Sequence, residues 1–82
     1  MWIVTKEEDH YLEHPVHSRN WDDKHPELAL HPFRMRDGDG NIIYEGFSSA
    51  ENFDPLDDYG QPNFGCSDIQ YLNLKTNKWE TL

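Results

Sequence analysis

The feature that most constrains the fold of this chain is a tight turn, Asp39-Gly40, between two stretches of β-forming sequence. Asp-Gly supplies the two positive-φ positions of a two-residue type I′ turn, a strong short-range signal for a β-hairpin. Gly38 and Asn41 flank the turn. The sequence therefore predicts a hairpin around residues 37–46, and the rest of the sheet must be arranged around it.

The strands on either side of this turn set its register. In the two-residue register Met35 faces Tyr44, and Arg34 faces Glu45. An apolar pair and an opposite-charge pair then lie at adjacent positions on opposite faces, as a sheet with two different faces requires. Turn chemistry and side-chain pairing therefore predict the same register.

The acids of the turn also suggest a calcium loop. An EF-hand loop needs oxygen ligands at positions 1, 3 and 5, glycine at 6 and a bidentate glutamate at 12. Placing Gly40 at position 6 puts Met35 at position 1 and Gly46 at position 12, and flanking helices are absent from the pattern. The EF-hand is therefore rejected. A calcium site shared with Asp57 or Asp58 remains a minor alternative.

The N-terminal third gives weaker signals. Residues 1–4 are β-branched or aromatic and predict a first strand. Thr5-Lys6-Glu7-Glu8 has the form of a capping box, which predicts a short helix ending near His14, before Pro15. The apolar face of that helix is thin, so an extended strand-to-loop path is the alternative.

Residues 16–26 are polar and rich in His and Asp, which is typical of a loop. Trp21 is expected to bury into the core from this loop. Leu28, Leu30 and Phe33 then predict a second strand. Pro32 lies inside this strand and favours a sheet edge or a bulge, because proline cannot donate to the ladder.

The longest irregular segment covers residues 48–67 and contains the aromatics Phe53, Tyr59 and Phe64. Connections this long are uncommon in compact domains and are usually functional or disordered. Three buried-type aromatics indicate a segment that packs as an Ω-loop. We therefore expect a long ordered loop.

Two C-terminal stretches, residues 68–74 and 79–82, predict strands joined by a four-residue loop, with Leu74 facing Trp79 and Asn73 facing Glu80. Together with the segments above, the fold class is mainly β. We expect a small antiparallel sheet or half-closed barrel of about five strands, with at most one short N-terminal helix. The 82 residues form a single domain, residues 1–82, with one small core.

Composition narrows the cellular context. One Cys excludes an internal disulfide, and neither a signal-peptide pattern nor a long apolar run is found. A cytoplasmic protein without a membrane segment is the expectation. The mean hydropathy is −0.95, so burial is modest, and a partner or a second copy of the chain would add to it.

The net charge of −9 is unevenly distributed. Residues 37–74 hold eight acids and no Lys or Arg, whereas residues 1–36 hold seven acids and five bases. Direct binding to nucleic acid requires clustered cations, which residues 37–74 lack. The sequence therefore predicts no direct binding to nucleic acid. This charge distribution favours a basic protein surface as partner, although acids that only keep the chain soluble would give the same distribution.

Few residues are candidates for chemistry. His10 and His14 would share a helix face and are weak zinc candidates, but solvated loop histidines are commoner. Cys66 would need a nearby histidine to act as a nucleophile, and free cysteines are more often small buried hydrophobes. Asp57 and Asp58 could be paired catalytic carboxylates, but they also fit turn chemistry. We therefore assign no catalytic residue, no confident metal ligand and no cofactor.

Two segments together carry a resemblance. They are Phe33-Arg34-Met35-Arg36-Asp37-Gly38-Asp39-Gly40-Asn41-Ile42-Ile43-Tyr44-Glu45-Gly46 and Pro55-Leu56-Asp57-Asp58-Tyr59-Gly60-Gln61-Pro62-Asn63-Phe64-Gly65-Cys66. This combination resembles a group of short, uncharacterised bacterial proteins with a similar strand-turn-strand segment and a later P-L-D-D-[FY]-G-x-P-x-x-G-C. The resemblance covers roughly the C-terminal 50 residues and supplies no catalytic residue, but it directs attention to the long loop.

The leading hypothesis is a non-enzymatic interaction module that binds a basic protein through an acidic, aromatic-bearing loop. If that partner binds nucleic acid, the loop would act as a DNA mimic. The alternatives are a small metal-dependent or thiol enzyme, and a β-domain that binds a small molecule between Trp2, Trp21 and Trp79. The candidate binding residues are Asp54, Asp57, Asp58, Tyr59, Phe64 and Asp68.

Overall fold

The computed structural model describes residues 1–82 and contains one antiparallel sheet of six strands in the order β2-β1-β4-β3-β5-β6. A short helical segment, residues 52–66, lies on one face of the sheet, so the molecule has two layers and measures 37 × 30 × 21 Å. The strands are β1 (Trp2–Glu7), β2 (His10–His17), β3 (His31–Arg36), β4 (Ile42–Ser48), β5 (Asp68–Asn73) and β6 (Lys78–Thr81). The prediction of a mainly β fold with a small antiparallel sheet is confirmed, with six strands in place of about five.

The predicted N-terminal helix over residues 5–14 is wrong. β1 continues through the capping-box residues to Glu7, and the chain turns at Glu8, whose φ is +52°, to enter β2. β1 hydrogen-bonds to β2 on one side and to β4 on the other. These two ladders stabilise an extended backbone more than the thin apolar face could stabilise a helix. Pro15 lies within β2 because β2 is an edge strand.

The second strand also differs from the prediction. Leu28 belongs to a single 3₁₀ turn (Pro26–Leu28), and both Leu28 and Leu30 are exposed. β3 lies in the middle of the sheet, so the edge position predicted from Pro32 is wrong. Proline is tolerated there because pairing with β5 starts one residue later, at Phe33.

Trp21 does not enter the core as predicted. Its indole stacks on His17 at a centroid distance of 5.9 Å and donates to Asp23 at 2.8 Å. The ring is partly buried, on the sheet face that the helical segment leaves open.

The register of the central hairpin is confirmed, with Met35 opposite Tyr44 and Arg34 opposite Glu45. The turn itself is longer than the predicted type I′ turn. Only Gly40 has a positive φ, 84°, and the ladder shifts between Met35 and Arg36, which is typical of a type I turn followed by a glycine bulge. The Glu45 carboxylate meets Lys6 at 3.5 Å, not the predicted Arg34.

The C-terminal hairpin forms, but two residues out of the predicted register. Leu72 lies opposite Trp79, and Asn73 lies opposite Lys78. The strand ends early because the Asn73 side chain accepts hydrogen bonds from the amides of Lys75 and Thr76, at 2.9 and 3.3 Å. Leu74 is consequently in the loop and exposed.

The core lies between the sheet and residues 52–66. This segment contains a π-helical turn (Leu56–Gly60) followed by one α-helical turn, α1 (Gln61–Phe64), where a loop was predicted. Of its three aromatics only Tyr59 packs on the core, because Phe53 and Phe64 are 47% and 50% exposed. The core comprises Trp2, Val4, Phe33, Met35, Ile43, Tyr44, Leu56, Cys66, Ile69 and Tyr71.

Two glycines allow the layers and strands to approach closely. A Cβ on Gly46 would lie 1.9 Å from the carbonyl oxygen of Ile3 and 2.9 Å from the Phe33 ring. A Cβ on Gly60 would lie 2.5 Å from the sulfur of Met35. Gly46 therefore permits the pairing of β1 with β4, and Gly60 permits the helical segment to sit on the sheet.

Candidate functional site

The helical segment presents three carboxylates to solvent. Asp54, Asp57 and Asp58 are all exposed, and none lies within ion-pair distance of a Lys, Arg or His side chain. The segment turns this way because Pro55, Leu56 and Gly60, which alternate with the acids, are buried against the sheet. The packing of the apolar residues thus places the charges on the outer side.

Aromatic rings flank these carboxylates. Phe53 and Phe64, half exposed, bracket the acids in the chain. Tyr59 faces inward, in tilted and edge contacts with Trp2 and Tyr44 at centroid distances of 5.8 and 5.0 Å. Burial next to Tyr59 also raises the pKa of the Tyr44 hydroxyl. Tyr59 is therefore a packing residue, and the two phenylalanines are the exposed apolar groups.

Asp58 differs from the other two acids because it has a partner. The Trp2 indole donates to its Oδ2 at 3.4 Å, which connects the helical segment to β1. An open groove of about 660 Å³ begins here. Its lining includes Asp54 and Asp58, the basic residue Arg19, and the aromatic rings of Trp2 and Tyr59. The groove thus combines charges of both signs with aromatic rings.

The predicted site residue Asp68 does not belong to this surface. It lies at the start of β5, where Arg36 donates to both of its carboxylate oxygens, at 3.0 and 2.6 Å. This hydrogen bonding raises the pKa of the Arg36 guanidinium. The structure therefore groups five of the six predicted residues on one segment and assigns Asp68 to an ion pair in the sheet.

The acids of the central turn have a structural role. Asp37 Oδ1 accepts the amides of Asp39 and Asn41, both at 2.9 Å, and its Oδ2 accepts the Asn41 side-chain amide. These hydrogen bonds lower the pKa of the Asp37 carboxyl. No group of three His, Cys, Asp or Glu side chains is arranged to hold a metal ion. The carboxylate that a calcium ion would need is already bonded to the turn.

The zinc candidates His10 and His14 lie in β2, not on a helix. Four residues along a strand span roughly 13 Å, which is too far for two histidines to bind one ion. The weak metal prediction for this pair is therefore wrong because of its geometry.

Cys66 is buried in the core, as the commoner behaviour of a free cysteine predicts. Burial raises the pKa of its thiol to about 11, and the carboxylates of Asp37 and Asp68 add to the rise. The thiol is protonated at neutral pH and is a poor nucleophile. Its contact with the helical segment is a packing contact.

The three tryptophans do not form one pocket. Trp2 lines the groove beside Asp58, Trp79 lines a groove on the opposite face, and Trp21 lines a third. The proposed ligand pocket shared by all three is therefore wrong. Trp79 stacks instead on the Arg34 guanidinium, at 4.3 Å from the ring centroid.

Sequence reasoning missed the exposure of Phe53 and the bond between Trp2 and Asp58. The first could have been suspected from the acids Glu51 and Asp54 beside Phe53. The second joins residues 56 positions apart, and no local pattern signals it.

The helical turns of this structure have neither the length nor the hydrophobicity of a membrane-spanning helix. Comparison with known proteins finds no matching family model, no similar curated protein and no similar solved structure.

Proposed function

We propose that this chain is an interaction module that binds a basic protein surface through its acidic helical face, defined as Phe53, Asp54, Asp57, Asp58 and Phe64. The observation that carries the proposal is the exposure of three carboxylates that lack an internal cation, next to two half-exposed phenylalanines. Acids without an internal partner are free to pair with an external one.

Charge on this face serves recognition more than raw affinity. Opposite charges steer encounter and exclude wrong partners, and the sequence between Asp37 and Leu74 contains no cation to weaken the field. Aromatic side chains commonly supply the affinity at the centre of such interfaces. We therefore assign specificity to Asp54 and Asp57, and affinity to Phe53 and Phe64.

A partner that itself binds nucleic acid would bind the acidic helical face through its nucleic-acid-binding surface. The carboxylates of this chain would then take the place of the phosphates. This DNA-mimic form predicts direct competition between the chain and DNA for the partner. Competition with DNA would distinguish a partner that binds nucleic acid from a basic partner that does not.

The test uses the tagged chain as bait in a low-salt lysate, with quantitative comparison of captured proteins. Asp54→Asn/Asp57→Asn removes two charges while leaving the Trp2 bond of Asp58 intact. Asp9→Asn/Glu80→Gln removes two exposed charges elsewhere and serves as the matched control. We expect a specific basic protein to be lost with the first variant and kept with the second.

Salt gives a second criterion. Capture should fall as ionic strength rises from about 50 to about 300 mM, because exposed charges are screened beyond a Debye length. Equal recovery of every captured protein by wild type and Asp54→Asn/Asp57→Asn at low salt would reject the acidic helical face as the site.

The groove beside Asp58 supports a second candidate, a small zwitterionic ligand. Asp54, Asp58 and Arg19 line the same groove together with the ring of Trp2. Titration with amino acids and polyamines, followed by tryptophan fluorescence, tests it. An emission spectrum that no compound changes would reject this candidate.

A further inference from the structure

The face of the sheet opposite the helical segment, called here the open face, has a composition unlike the rest of the molecule. Its members follow from the strand registers and the alternation of side chains along each strand. They are Ile3, Thr5, Lys6, Tyr11, Glu13, Pro15, His17, Pro32, Arg34, Arg36, Glu45, Phe47, Asp68, Gln70, Leu72, Trp79 and Thr81.

The open face is charge-balanced in a strongly acidic chain. It holds three cations, Lys6, Arg34 and Arg36, and three acids, Glu13, Glu45 and Asp68. The whole chain has 7 Lys and Arg against 16 acids, so the entire net charge of −9 lies outside this face. Two copies that meet through the acidic helical face bring like charges together, which opposes association.

The open face is also apolar at its centre. Phe47 is 42% exposed and lies between two grooves. One groove, about 200 Å³, also contacts Tyr11 and Trp79; the other, about 350 Å³, also contacts Ile3 and Trp21. The helical segment covers the other side of the sheet, whereas on the open face the loop that carries Trp21, Pro26 and Ala29 covers only the part next to Ile3 and Phe47. The open face therefore retains exposed aromatic rings, Tyr11 and Phe47.

We infer that the open face binds the open face of a second copy of this chain. A two-fold arrangement places each Phe47 against the aromatic grooves of the other copy. Lys6 and Glu45, which form an ion pair within one chain, can exchange partners across such an axis because they lie on the same face. The 37 × 30 Å outline of the molecule leaves room for the roughly 800 Å² per partner that a standard interface buries.

This inference is independent of the proposed function, because the acidic helical face lies on the other side of the sheet and stays free in the dimer. The two also respond oppositely to salt. Binding of a basic partner weakens as salt rises, whereas self-association strengthens, because salt screens the repulsion between two copies of charge −9.

Sedimentation equilibrium from about 1 to about 500 µM chain, at about 50 and about 500 mM salt, tests the inference. Phe47→Glu places an acid at the centre of the open face. Phe64→Glu makes the same change at an equally exposed aromatic on the other side and is the matched control. Lys6→Glu changes a second residue of the open face, on the rim of the groove, and keeps the test valid if Phe47→Glu does not fold. Far-UV circular dichroism checks that all three variants are folded.

We expect the wild type to approach twice the 9.7 kDa chain mass, and more readily at high salt. Phe47→Glu and Lys6→Glu should each raise the dimer dissociation constant about tenfold or more, while Phe64→Glu leaves it within a factor of two of wild type. A wild-type chain that stays monomeric at every concentration and both salts would overturn the inference. So would a loss of dimer in folded Phe64→Glu that equals the loss in Lys6→Glu.

Discussion

Replacing Gly46 with alanine should be the most damaging of the glycine-to-alanine substitutions in this chain. A Cβ at this position would lie 1.9 Å from the Ile3 carbonyl oxygen and 2.9 Å from the Ile3 carbonyl carbon, both backbone atoms of β1. Side chains can rotate away from such a contact, but a paired backbone cannot. The added methyl must therefore push β1 away from β4 and weaken the ladder between them.

The loss of folding free energy depends on which atoms the added methyl group contacts. Overpacking against movable side chains costs about 1–3 kcal/mol, and displacement of a central strand belongs at or above the upper end, so we expect about 3 kcal/mol or more for Gly46→Ala. At Gly60 the close atom is the flexible end of Met35, at 2.5 Å, so Gly60→Ala should cost about 1–2 kcal/mol. Gly38→Ala meets only Ser67 Oγ at 3.6 Å and should stay within about 0.5 kcal/mol of wild type.

Urea unfolding followed by tryptophan fluorescence measures all three variants. With a denaturant slope of about 1 kcal/mol per molar, Gly46→Ala should lower the midpoint by roughly 3 M. A chain of this size has a total stability of roughly 4–12 kcal/mol, so the variant can be largely unfolded in water. Equal stability of Gly46→Ala and Gly60→Ala would refute the backbone clash at Gly46, and so would a Gly38→Ala variant that is the least stable of the three.

Two further predictions concern ionisable groups. Cys66 should react with a disulfide reagent at pH 8 at least about 100-fold more slowly in the native protein than in guanidinium, because the raised pKa and burial both suppress thiolate attack; similar rates in the two conditions would contradict the buried position. Asp37→Asn should lower the melting temperature at neutral pH. The Asp37 carboxyl has a depressed pKa in the folded state, so its stabilisation is present above the unfolded pKa and disappears as pH falls through the folded value. Melting curves of wild type and variant should therefore converge as the pH falls below about 4, the ordinary pKa of an aspartate, and a constant difference would refute the role of the turn hydrogen bonds.

The central hairpin could be predicted because two local signals agree. Gly40 supplies the positive φ of the turn, and the pairs Met35 with Tyr44 and Arg34 with Glu45 select one register. The exact turn type was missed because Asp37 accepts amides from Asp39 and Asn41, which stabilises the longer bulged turn.

The first strand was predicted only over residues 1–4; its continuation to Glu7 and the whole of β2 were not predicted as strands because their stability is non-local. Thr5 to Glu8 matches a helix start, but Lys6 and Glu7 lie opposite Glu45 and Tyr44 of β4, about forty residues later. At the C-terminus the error is local: the predicted strand extends to Leu74, although the Asn73 side chain already closes the turn at the end of β5.

For the candidate site, charge could be predicted but contacts could not. The exposure of Asp54 and Asp57 follows from their alternation with apolar residues that pack inward. The Arg36 partner of Asp68 and the Trp2 partner of Asp58 depend on chain segments that meet only in the folded sheet. Exposure of Phe53 and Phe64 opposes their usual tendency to be buried, and such departures commonly mark functional surfaces.

The position of β1 has a consequence for how the chain folds. β1 is made first, yet its inner neighbour is β4, so the sheet order β2-β1-β4-β3-β5-β6 requires a contact that spans most of the sequence. On the ribosome the first hairpin must wait for β4 until residue 48 has emerged, and Trp2 and Val4 stay uncovered until the helical segment, residues 52–66, follows. The central hairpin is then the natural nucleus, and docking of β1 onto β4 is the slow, late step that high contact order imposes.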